Sequence, residues 1–164
     1  MRHQNTVVDE KLGLLITAGA AIAANGPEVF EEAARKLITL NVRREELQGA
    51  TVIGQMVKEK PAAHMKEVAD VLTDTDFVQD NKHDCPASQM DTTSDAFRQI
   101  MLISAGADMA ANCEPCLNQV VPNLIEANVT SHDITKAVTI GQAVKDRISG
   151  QTQKLAHETL RFSA

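Results

Sequence analysis

Two thiols three positions apart, Cys113 and Cys116, flank Glu114 and Pro115 within the stretch Ala110 to Leu117. One apolar helical run precedes them and another follows. Pro115 fits a helix only in its first turn, where its missing N–H has no intrahelical acceptor to lose. Asn112 is of a type favoured at helix N-caps. The spacing therefore places Cys113 in the first turn of a helix and Cys116 about one turn on, on the same face. Cysteines so placed close a disulfide with little backbone change, and the free N–H groups and helix dipole favour a thiolate at Cys113. This is the pattern of a redox-active dithiol. Competing readings are a pair of small buried residues, or half of a zinc site completed by His83 and Cys85.

Three further residues are candidates for proton transfer. Glu114 adjoins the pair, although a negative charge there raises a thiol pKa and a solvated first-turn position is expected for it. Asp108 lies on the preceding helix and could approach the thiols from below; as an isolated acid on a helix it is expected to be exposed. His132 falls in a first turn, Thr130 to Asp133, that reads as a capping-box variant.

Helices must position these groups. Of the 164 residues, 43% are apolar and only 2% aromatic, so the core is expected to be Ala, Leu, Ile, Val and Met in closely packed helices. The net charge of −6 without a basic block argues against nucleic acid as a partner. The longest apolar run, Leu12 to Ala24, is shorter than the roughly 20 residues of a membrane helix. The opening Met1-Arg2-His3-Gln4-Asn5 lacks the apolar core of a signal peptide, and three cysteines do not suggest a secreted disulfide framework. A cytoplasmic protein without membrane association is expected.

A first helix is expected over 9–25, with Leu12, Leu15, Ile16, Gly19, Ile22 and Ala23 on one face. Asn25-Gly26-Pro27 opens a second, with Phe30, Ala33, Ala34, Leu37 and Ile38 inward, and Asn41 suits a left-handed C-cap. A third runs from about Arg44 to Glu59 with Leu47, Ala50, Ile53 and Val57 inward. Pro61 is expected to open a fourth. Shifting the chain by 87 positions then aligns it with itself: residues 15–58 match 102–145 at 18 of 44 positions without a gap. Among the matches are Gly19 with Gly106, Asn25 with Asn112, Asn41 with Asn128, and Gly54 with Gly141. This predicts one domain over 1–164 made of two four-helix repeats, about 9–73 and 94–162, joined by an acidic linker over 74–93. The shared helix-interior glycines suggest close helix approach. The copies differ at the chemistry: Cys113 stands opposite Gly26, Cys116 opposite Val29, Asp108 opposite Ala21, and Pro122, expected to bend its helix, opposite Arg35.

The duplicated helical chain, with Cys-x-x-Cys opening one helix and Asn128 to Ile134 opening the next, resembles the carboxymuconolactone decarboxylase and alkyl hydroperoxidase D (AhpD)-like family over most of its length. The resemblance implies an AhpD-like all-α fold and a homo-oligomer, with a trimer expected. It also implies a thiol-dependent peroxidase in which Cys116 attacks a peroxide and Cys113 resolves the disulfide, whereas the helix argument puts the lower pKa on Cys113. The partners would be a peroxide or small disulfide and a thiol reductant; no cofactor and no resident metal are expected. The peroxidase branch carries a Glu where this chain has Met101 and a His where it has Val120. It often has another His where Pro115 stands. Neither Met101 nor Val120 can relay a proton, so a weak peroxidase is expected. The alternatives are a helical assembly module with a vestigial dithiol and a structural zinc-binding protein.

Overall fold

The computed structural model describes residues 8–73 and 90–162, with side chains at 8–60 and 90–155. Six helices account for nearly all of it: α1 (Glu10–Ala23), α2 (Pro27–Thr39), α3 (Arg44–Thr73), α4 (Asp95–Ala110), α5 (Glu114–Glu126) and α6 (Ser131–Phe162). The fold is all-α, and no strand occurs among the described residues.

Each half contains three helices and not the expected four. Helix α3 runs through Pro61 without a break. A helix-interior proline removes one hydrogen bond and crowds the preceding turn, but it does not forbid continuation when the helix is held on both sides. At the matching place α6 carries Ile148 and is equally continuous. The helix bounds recur at the 87-residue offset: Pro27–Thr39 against Glu114–Glu126, and starts at Arg44 and Ser131.

The central pair is α1 and α4. They pack against each other and against both long helices, while α2 lies on α1 and α5 on α4. Both central helices are buried around most of their circumference, as expected of helices apolar on all sides. Helix α2, by contrast, buries the single stripe Val29, Ala33 and Leu37. Ile38, expected inward, is 67% exposed, because it falls about 100° off that stripe; its counterpart Ile125 is 61% exposed.

Glycines let the helices touch. A Cβ on Gly54 would run into the carbonyl oxygen of Gly19, and one on Gly141 into that of Gly106. The central helices meet reciprocally: Gly19 faces Ile103, and Gly106 faces Ile16, residues that differ by the same 87 positions. The close approach expected from the repeated glycines is present.

The four corners within the two described halves use one device. Asn25, Asn41, Asn112 and Asn128 have φ of 59°, 53°, 59° and 59°. Each follows a helix end at which the next two N–H groups fold back on the last carbonyls, the Schellman arrangement. Asparagine tolerates this left-handed conformation better than other side chains bearing a Cβ. Asn41 is as expected. Asn112 is not an N-cap: it ends α4, and Cys113 takes the N-cap position of α5.

Candidate dithiol site

The site forms where α4 ends and α5 begins. Asn112 N–H reaches the Met109 carbonyl at 3.1 Å, and Cys113 N–H reaches the Asp108 carbonyl at 2.9 Å. This reverses the chain within three residues. The first helical bond of α5 then joins Leu117 N–H to the Cys113 carbonyl at 3.1 Å. Glu114 and Pro115 occupy the first turn, as the proline requires. Cys113 and Cys116 thus face each other across that turn, with Cα atoms 5.3 Å apart and their sulfurs joined as a disulfide. That separation lies within the usual range for the bond.

The pair is hidden from solvent: Cys113 and Cys116 are each only 2% exposed. The reason is their place on the helix: both belong to the face of α5 turned inward, with Val120 and Leu124 continuing it. Glu114 and Pro115, on the other face, are exposed. Above the corner, Lys145 of α6 donates to Asn112 Oδ1 at 2.9 Å. Lys145 matches Lys58 of the first half at the 87-residue offset.

Asp108 was expected at the surface and is completely buried. Neither carboxylate oxygen has a hydrogen-bond partner. Its pKa is pushed up from an ordinary 3.8 to about 7 by burial, against which the nearby Lys60 ammonium of α3 pulls it down. Helical periodicity failed here because α4 has no solvent face near its C-terminus; α1, α3, α5 and α6 all pack on it. No sequence signal pointed to Lys60.

The remaining candidates do not join this group. Glu114 is exposed at the start of α5, and His132 is exposed in the first turn of α6. Around His132 the capping box is formed: Asp133 N–H donates to Thr130 Oγ1 at 3.1 Å, and the Thr130 hydroxyl donates back to the Asp133 carboxylate. Asp133 also accepts from Val8 N–H at 3.0 Å, which fastens the chain before α1 to the start of α6. Met101 and Val120 are core residues, 4% and 6% exposed. Pro122 lies inside α5, which continues past it.

His83, Cys85 and most of the 74–93 linker lie outside the described residues. Among the described residues no three His, Cys, Asp or Glu side chains are grouped as metal ligands, and no helix is long and apolar enough to cross a membrane. A scan against protein-family models finds no match to this chain, and searches of curated proteins and of solved structures return none.

Proposed function

We propose that this chain is a thiol–disulfide redox protein of AhpD-like plan, in which Cys113 and Cys116 cycle between dithiol and disulfide. One observation carries the reading: the pair sits in bonding register at a helix start, while the corner built the same way in the first half holds Gly26 and Val29. The corner therefore needs no cysteines to form.

With a peroxide as oxidant, the Cys116 thiolate attacks one peroxide oxygen. The O–O bond breaks, an alcohol or water leaves, and a sulfenic acid remains. Cys113 then displaces hydroxide from that sulfur as water, forming the disulfide. Two cellular thiols, or one dithiol, return both electrons and are oxidised to a disulfide. Burial of both sulfurs and the apolar residues Met101 and Val120 support a slow peroxidase, since proton transfer by a positioned group is worth roughly 10²–10⁴-fold. The setting proposed is the cytoplasm, with a small disulfide as the other candidate oxidant. The two halves are proposed to be copies of a three-helix unit about an approximate twofold axis, assembling further as a homotrimer.

The test is differential alkylation with mass spectrometry after successive exposure to dithiothreitol and to hydrogen peroxide or oxidised glutathione. The expected result is reversible loss and return of the 113–116 bond. Cysteines that remain in one state throughout would leave a helical assembly module as the better reading.

A further inference from the structure

Asp108 is the one described side chain whose buried polar atoms lack any partner. Leaving such a group unmatched is destabilising, more so for a charge, and a native example calls for a reason. The fold does not supply one, because Ala21 holds the matching place in α1 and is equally buried.

The corner geometry supplies a reason. Asp108 is the third residue from the end of α4, and Cys113 is the second residue past its cap. In this motif those two side chains commonly pack together. The first half is built alike: Gly26 N–H reaches the Ala21 carbonyl at 2.8 Å, and a Cβ on Gly26 would lie 3.7 Å from that oxygen. There Ala21 and Val29, the counterparts of Asp108 and Cys116, share one buried cluster. In the second half the Cys113 N–H donates to the Asp108 carbonyl at 2.9 Å, and Asp108, Cys113 and Cys116 are all buried at this corner.

Resting on the redox reading above, we propose that Asp108 is the proton donor and acceptor for Cys113 during disulfide exchange. In reduction, the thiolate of an external dithiol attacks Cys116. A mixed disulfide forms, the 113–116 bond breaks, and Cys113 leaves with the electron pair. The Asp108 carboxyl gives its proton to that buried thiolate, and the resulting carboxylate is stabilised by Lys60. The reductant's second thiol, its proton lost to solvent, attacks the mixed disulfide and expels Cys116. Solvent then reprotonates Cys116 and Asp108. Two electrons pass from the dithiol to the disulfide, and the two protons released by the reductant balance the two taken up. In oxidation, the Asp108 carboxylate removes the Cys113 proton.

The charges around Asp108 leave Lys60 of α3 as its described counter-ion. Lys145 of α6 is engaged by Asn112, Glu114 of α5 is exposed, and Lys11 of α1 is paired with Glu46 at 2.7 Å. Arg98 of α4 is paired with Asp95 at 2.9 Å near the opposite end of the helix.

The experiment measures the rate of reduction of the intact protein by dithiothreitol from about pH 5 to about pH 9, divided by the reagent's thiolate fraction. The wild-type rate should fall as pH rises through about 7. Asp108→Asn and Asp108→Ala, the latter restoring the first-half residue, should be about 10²-fold slower at low pH and lack that fall. Variant profiles that parallel the wild type overturn the proposal. If the wild-type bond cannot be reduced and reformed at all, the redox reading fails with it. Should neither variant fold, the reduced-minus-oxidised infrared spectrum of the wild type decides. Below about pH 7 a shift in frequency of the protonated-carboxyl band as the bond beside it becomes two thiols supports the assignment, and a band at the same frequency in both states overturns it.

Discussion

At the scale of single residues, Asp108 couples folding to pH. In the folded chain it holds its proton up to about pH 7, whereas the ordinary value is 3.8. Between those values the folded state binds one proton more than the unfolded state, so stability falls as pH rises. The contribution is complete below about pH 4 and lost once pH passes about 7, an effect on the order of 4 kcal/mol. Urea unfolding of wild type and Asp108→Asn across this range should show the difference between them growing with pH, the variant being relatively more stable at the alkaline end. A constant difference would contradict the buried-acid account. The residue's chemistry was legible in the sequence but its environment was not. Periodicity tells which face of a helix is polar only if one face meets water, and residues 101–108 of α4 are all buried. The cysteine pair was easier to read, because Pro115 admits only one place in a helix. Asn112 misled because asparagine suits both an N-cap and a left-handed helix end; the left-handed reading made at Asn41 applied here too.

At the scale of elements, the glycines divide into two kinds. Gly54 and Gly141 each meet the backbone of a central helix, so Gly→Ala at either should destabilise by about 1–3 kcal/mol or more, since a carbonyl cannot swing aside like a side chain. Gly49 and Gly150 have open space where a Cβ would go, and Gly→Ala there should stabilise by about 0.5–1 kcal/mol through helix propensity alone. Thermal unfolding of the four variants separates the classes, and equal effects would refute the packing argument. The sequence showed which glycines recur but not which atoms they admit. It also gave Pro61 too much weight: a proline inside a long, well-packed helix is a local cost, not a boundary.

The disulfide joins residues only three positions apart, so it restricts the unfolded ensemble little. Replacing both cysteines by serine should cost about 2 kcal/mol from chain entropy, plus the cost of burying two hydroxyls. Replacing them by the first-half pair, Cys113→Gly with Cys116→Val, should fold and lose far less than the serine variant, by denaturant titration. A Gly–Val variant that fails to fold would show that the corner depends on the bond.

At the scale of the whole molecule, the reciprocal contacts of Gly19 with Ile103 and Gly106 with Ile16 make each half the neighbour the other half needs. The 87-residue offset made this relation legible before any coordinates, since matched apolar positions must bury against something. What it could not reveal was that the second half hides its cysteines. On the redox proposal, exchange with a partner molecule requires the α4–α5 corner to open, and the reduced thiols should react with iodoacetamide far more slowly than free cysteine. The central claim, that this half carries a working dithiol, is tested most directly by equilibrating the protein in dithiothreitol buffers of graded oxidation and counting alkylated Cys113 and Cys116. The account predicts a single reversible two-electron transition confined to that pair, the same whether approached from the oxidised or the reduced side. Two cysteines that titrate independently, or a bond that never forms, would contradict it.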